Sequence, residues 1–472
     1  MLNLSGTPEI AVNRFGLGAA PGELARVGGD GREALRAQLT AAAPVLGAQT
    51  LEASPAIVVA AAALRAQIRA ERERGASDAA VPAATATAAV LKLPRLYRPI
   101  YVAEVTTRLR HVATTDRPFV ERLTHFWSNH FAVSVDKIAV LGLAGSFERE
   151  AIRPHVLGRF EDLVLAVERH PAMLLYLDNQ RSAGPNSDAA RRVARRRPDQ
   201  PLGLNENLAR EILELHTLGV DGGYTQTDVT TFAKVITGWS IGGGPGRLAS
   251  GTPGEFAFRA EMHEPGPKTI LGKSYPDGGE AQGIAVLRDL VHRPETARHV
   301  ATKLVRHFIA DDPPASAVER LVAAWIRTEG DLPSVYRALL DCPEAWTVAQ
   351  PKFRTPADYV HAAYRALELP VDDTARALAP YELLGQRTFA PGSPAGWPDR
   401  SADWDGASAV LKRVEWADAV GQRIGSARDA AELAPALFGS QLSSTTRVAV
   451  ARAASAAQAL TLLLASPEFM RR

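Results

Sequence analysis

Cysteine is nearly missing: Cys342 is the only one in 472 residues. A single thiol excludes an intrachain disulfide and a thiolate-rich metal site. It closes an apolar helix end, Leu339-Leu340-Asp341-Cys342-Pro343, where a cysteine packs rather than reacts. No apolar run reaches the ~18 residues needed to cross a bilayer, so no membrane span is expected. Neither charge sign dominates. The 54 basic and 52 acidic side chains leave a net +2, too balanced for a nucleic-acid binder. Met1-Leu2-Asn3-Leu4-Ser5 lacks a basic segment and a long apolar stretch, so no signal peptide is expected and the chain reads as cytoplasmic. There is no phosphate-cradling loop, dinucleotide fingerprint or Gly-x-Ser-x-Gly elbow, and Gly242-Gly243-Gly244 lacks the lysine of a P-loop.

What is present is ordinary for a globular protein: 46% hydrophobic and 22% charged residues. The length exceeds one compact core and implies two or three subdomains. The natural divisions are 1–90 (N-terminal helices and an Ala-rich linker), 91–275 (a helical core region) and 276–472 (a C-terminal helical region). Helical periodicity recurs throughout. It predicts a first helix pair over 20–42, then helices over 57–75, 97–114, 117–130, 144–154, 158–168, 169–177, 204–218 and 226–238. Further helices are predicted over 279–292, 294–309, 314–328, 332–342, 355–367, 376–385, 406–424 and 445–464. The fold class is mainly α, multi-helical and bundle-like, with long irregular loops and at most a small β-hairpin near 240–275. Residues 76–90 read as a linker, the basic run Arg191–Arg197 as a solvated loop, and 386–405 as a long loop carrying Trp397 and Trp404. The endings Leu340-Asp341-Cys342-Pro343-Glu344 and Leu464-Ala465-Ser466-Pro467-Glu468 suggest a weak repeat.

Three segments could carry chemistry. In the first, Leu204, Leu208, Ile212 and Leu215 form an apolar stripe, while Asn207, Arg210, Glu211 and Glu214 share a face at helical spacing. Such a face beside an apolar stripe is an inward polar network, costly unless paired or bound to something. Arg210 pairing with Glu206 or Glu214 would make it a purely structural salt-bridge network. In the second, Glu121, His125 and Asn129 share a face and His130 lies one position further round. These are either metal ligands or interior histidines bonded to carbonyls and carboxylates. In the third, His263-Glu264-Pro265-Gly266-Pro267-Lys268 lies in a loop, where His263 is a ligand or acid–base candidate and Lys268 an anchor for an anion, if it is more than an ordinary turn. Trp239 is read as packing.

The chain resembles the bacterial DUF1800 proteins. The resemblance rests on Asn13-Arg14-Phe15-Gly16-Leu17-Gly18, Phe126-Trp127-Ser128-Asn129-His130-Phe131, Tyr176-Leu177-Asp178-Asn179 and Asn205-Glu206-Asn207-Leu208-Ala209-Arg210-Glu211. It continues through Leu218-Gly219, Tyr224-Thr225-Gln226, Thr237-Gly238-Trp239, His263 to Gly272, Gly396-Trp397-Pro398 and Ser466-Pro467-Glu468-Phe469. It implies that His130, Glu206, Asn207, Arg210, Glu211, Glu214, Asp228 and His263 fall on recurrent motif positions, and that His125 and His216 are packing residues. Glu264 stands where relatives commonly have Asp. The resemblance also implies a secreted setting for many relatives and a DUF1501 partner that looks like a phosphatase or sulfatase.

The expectation is therefore an all-helical enzyme with a pocket between 117–130, 204–218 and 263–272. His130, Glu211, Glu214 and His263, with Asp228, would bind zinc, manganese or iron. The metal would activate water or, if iron, oxygen. Glu206 would be the acid–base group, and Arg210 or Lys268 would hold an anionic substrate. Two alternatives are a helical scaffold binding the phosphatase-like partner through the 386–405 loop, and a metal-free glycan pocket using Glu206 and Glu211 beside Trp127 or Trp239.

Overall fold

A computed structural model describes residues 7–40, 42–46, 51–76, 84–197, 199, 202–243, 250–347 and 352–472. Amphipathic helices dominate, as the periodicity predicts. Pro118–His130 is representative: Pro118 opens it at a position where a missing N–H costs nothing. Phe119, Val120, Leu123, Phe126 and Trp127 are then buried along it. The indole N–H of Trp127 donates to the Tyr336 hydroxyl at 2.6 Å, which donates to the Val156 carbonyl at 3.0 Å. Pro294–Phe308 likewise buries Val300, Ala301, Leu304 and Val305, and packs on Ala315–Thr328, which packs on Leu332–Leu340.

Several elements differ from expectation. Among the described residues two antiparallel hairpins stand where at most one was expected: Trp239–Ile241 with Phe256–Phe258, and Lys268–Ile270 with Lys273–Tyr275. The second turns on Leu271 and Gly272, both at positive φ, as a tight hairpin requires. The Arg191–Arg197 run is not a loop. Ser187 caps a helix, Asp188–Arg196, and alanine and arginine sustain it while the arginines stay exposed. Of the 76–90 linker, 77–83 lie outside the described residues and 84–90 already belong to the helix Ala84–Thr114. The 204–218 helix is shorter and irregular: Asn207–Glu211 is α-helical, then Ile212–His216 widens to a π-turn. There Thr217 Oγ1 donates to the Ile212 carbonyl, satisfying an acceptor that the wide turn frees.

Two hydrophobic cores form. One gathers mostly residues from Ile10 to Ala345, the other mostly residues from Phe353 to Met470. The Asn13–Gly18 segment stitches them together. Asn13 donates to the Leu437 carbonyl and accepts from Arg354, while Arg14 donates to the Ala345 carbonyl. Gly18, at φ +94°, lies where a Cβ would come within 2.6 Å of Ala362 Cβ. Arg365 completes the seam: it donates to the carbonyls of Gly18 and Val112 and to both oxygens of Glu23. Cys342 is fully buried, its Sγ 3.3 Å from the Ala338 carbonyl, and burial pushes its thiol up to about 12, which makes it a packing residue.

Replacing Arg365 by alanine strands a buried carboxylate and two carbonyls. We expect a loss of about 3–5 kcal/mol, read by urea unfolding, with part of it restored when Glu23 is also replaced by an apolar residue.

Candidate functional site

At the seam between the cores lies a cavity of about 370 Å³. Its walls come from Pro118–His130, Pro294–Phe308, Pro356–Ala366 and the irregular chain between Gln386 and Asp403. The loop is fixed by its neighbours. Asn129 donates to the Trp397 carbonyl and accepts from the Trp397 N–H at 2.9 and 2.8 Å. Gly396 (φ +83°) permits this approach, since a Cβ there would lie 2.3 Å from the Asn129 carbonyl.

Beneath one wall sits a buried charge lattice. Arg153 grips Glu121 with two bonds, 2.6 and 2.7 Å, and reaches Glu148 at 2.7 Å. Arg108 also bonds Glu148, while His125 and His111 approach Glu121 at 3.0 and 3.2 Å. Burial alone would raise the Glu121 carboxyl, but Arg153 reverses this and holds it well below the carboxylate range.

Two of the cavity's own carboxylates are equally committed. Asp358 pairs with Arg122 at 3.1 Å and with Arg472 at 3.1 Å. Asp399 accepts from His307 Nδ1 at 2.9 Å and lies near Lys352 and Arg472. Burial pushes the His307 imidazole down to about 4, so it is neutral at pH 7. Its Nδ1–H then faces Asp399, and its Nε2 has no hydrogen-bond partner. His361 is buried with neither ring nitrogen partnered, its ring 5.1 Å from that of His125. Lys303 lines the cavity with no hydrogen bond or ion pair to any described residue, and burial lowers its ammonium to about 8.

The family model described as "Protein of unknown function (DUF1800)" matches residues 10–471. The chain belongs to this family. Neither the search of curated proteins nor that of solved structures found a match. In this DUF1800 chain no helix among the described residues is long and apolar enough to cross a membrane.

The residues singled out in the sequence are mostly tied into the fold. His130 borders the cavity but is buried, its Nε2 bonding the His216 carbonyl at 3.1 Å. His263 Nδ1 bonds the Thr237 carbonyl at 3.1 Å. Asp228 closes a capping box with Thr225 and accepts from the Leu271 N–H at 2.7 Å. Glu206 accepts from Arg210, Gln226 and Thr230. Lys268 donates to the carbonyls of Glu264, Pro265 and Gly266. Glu264 accepts from the backbone and side-chain nitrogens of Asn186. Glu211 is half-buried with its carboxyl pushed up by burial, and Glu214 meets the Tyr224 hydroxyl. Among the described residues no three His, Cys, Asp or Glu side chains gather as a cation cage. His216 is fully buried on Glu168 at 2.7 Å, an interior histidine as expected, whereas His125 is also a cavity residue. Sequence reasoning missed Lys303, His307, Asp358 and His361. Their signal was a polar pair at i, i+4 and another at i, i+3, each on an amphipathic helix.

The neutral histidines set an acid limit. Burial lowers His299 to about 4 and pushes His130 and His361 well below their usual value. An unfolded histidine takes up its proton near pH 6.5. The unfolded state therefore binds more protons below that pH, and stability falls as pH drops from about 6.5 toward 4. Melting temperature measured across this range should decline, and His299→Asn should flatten the decline relative to its own value at pH 7.5.

Proposed function

We propose that the cavity at the seam is the ligand site, that its ligand is a small anionic molecule, and that the protein acts on it through imidazole acid–base chemistry. The observation that carries this reading is Lys303. Asp358 and Asp399, the carboxylates set into the cavity wall, are spent on guanidinium and imidazole groups, and the third, Asp403, is exposed at its edge, yet this ammonium is left without a partner. An unpaired cation in a confined space is costly and is relieved by an anion from outside. The Trp397 indole N–H, on the loop wall of the same cavity and also unpartnered, is a second open donor. His307, oriented by Asp399, keeps a lone pair on Nε2 and supplies the base.

Titration calorimetry with phosphate, sulfate and a small carboxylate tests this. Lys303→Met should weaken the best anion by about ten- to a hundredfold, the value of a charge-assisted hydrogen bond, while Lys303→Arg keeps most of the affinity. Equal binding by wild type and Lys303→Met sinks the reading.

The second reading is the metal-dependent one, hydrolytic or oxidative at zinc, manganese or iron. His361 favours it: a neutral imidazole, 2% exposed, with both nitrogens free beside His125, has the chemistry of a ligand. Elemental analysis of protein purified without an affinity metal, beside His361→Ala and Glu211→Gln, decides. Metal lost in His361→Ala supports a centre in the cavity. Metal lost only in Glu211→Gln returns the centre to His130, Glu211, Glu214, Asp228 and His263. No metal in wild type after divalent ions are supplied removes both.

A further inference from the structure

We propose that Lys303 is a catalytic nucleophile that forms an imine with the carbonyl carbon of a small oxo acid, a molecule carrying both a carbonyl and a carboxylate. The inference rests on the cavity being an anion site, and adds a covalent role for the residue that marks it.

Three observations converge. The first concerns what lysine is used for here. Of 54 basic side chains only eight are lysine, and the two most buried of these are immobilised. Lys268 is wrapped by three backbone carbonyls, and Lys352 by two carbonyls and Asp311. Lys303 has no such cage, so its amine is free to approach a ligand. The second is what surrounds it. The lining cations that anchor carboxylates are arginines (Arg122 on Asp358, Arg108 on Glu148), permanently charged and unable to attack a carbonyl. Lys303 is the cavity's one primary amine among the described residues. The third is the neighbour one turn on: His307 follows at i+4 on the same helix, held by Asp399 with its other nitrogen open. A proton carrier beside an amine is what imine formation requires.

The chemistry balances without an oxidant or reductant. The Nζ lone pair attacks the carbonyl carbon and the C=O π pair moves to oxygen. Nζ gives up a proton and oxygen gains one, leaving a neutral carbinolamine. His307, whose Nε2 took up a proton from the Lys303 ammonium when the amine was freed, then delivers that proton to the hydroxyl, water leaves, and the nitrogen lone pair closes the C=N bond. The carboxylate is drawn by the ammonium before the step and by the protonated imine after it. Burial supports the step: lowered from 10.5 to about 8, the amine is free at neutral pH about two orders of magnitude more often than an ordinary lysine.

The test is reductive trapping on the full chain. Glyoxylate, the smallest oxo acid, is added at neutral pH, followed by sodium borohydride, and the modified lysines are mapped by peptide mass spectrometry. Adduct should form on Lys303 at least tenfold faster than on the exposed Lys412, and inorganic phosphate should slow it. The map on wild type stands without any variant. Lys303→Arg should lose the adduct yet still bind phosphate, which separates failure of this proposal from failure of the anion site. Adduct spread over the lysines without preference for Lys303, or rates untouched by phosphate, overturns it.

Discussion

Buried guanidinium groups are the constraint on which this molecule depends. Arg122, Arg153, Arg354, Arg365 and Arg472 are each at most about one-twentieth exposed, and each bonds across elements distant in sequence. A guanidinium suits this task because its planar fork satisfies several acceptors at once and never discharges. Taking such groups out of water costs several kcal/mol each, and pairing them recovers that cost only if the geometry is met. The cost falls hardest on half-made arrangements. Either Arg365 finds Glu23 and the Gly18 carbonyl together, or a buried charge is stranded. The seam between the two cores is therefore specific as well as cohesive.

That same accounting creates the site. A carboxylate committed to arginine is no longer free for a metal or a substrate. Asp358 is held in this way, Asp399 is tied to His307, and Glu121 and Glu148 are held more firmly still. What remains around the cavity is a surplus of donors and neutral imidazoles. The lattice fixes the helix carrying His125, the clamp between Asn129 and Trp397 fixes the facing loop, and Lys303 stands between them without a partner. The unpartnered nitrogens of His307, His361 and Trp397 border this same cavity. Folded proteins satisfy most of their buried polar groups.

The fold was legible because period 3.6 is a repeated signal. Apolar stripes such as Val300, Leu304 and Phe308 announce a helix whatever surrounds it, and Pro118, Pro294 and Pro356 mark the starts. The irregular windings were not legible. Nothing in the spacing of Ile212 to His216 distinguishes a π-turn from an α-turn. The basic run after Ser187 was misread because charge suggested a loop, although alanine and arginine favour helix.

The site was legible only in part, for a physical reason. A histidine beside acidic residues reads as a ligand, yet one ring nitrogen of His130 and one of His263 go to backbone carbonyls while the other has no partner, and a carbonyl leaves no mark in a sequence. Asp228 likewise reads as a ligand and serves as a cap, which Thr225 three positions earlier does announce. Conversely, Lys303 and His307 looked like the wet face of an ordinary helix, and they matter because of what faces them. The long loop over 386–405 shows how the two levels join. Its tryptophans and Gly396-Trp397-Pro398 were visible from the start, but not the Asn129 clamp that closes the loop over the 118–130 helix. A loop held at both backbone atoms of one residue is a wall. That wall turns a lysine on a helix face into a lysine inside a chamber, where its charge has to be answered by what enters.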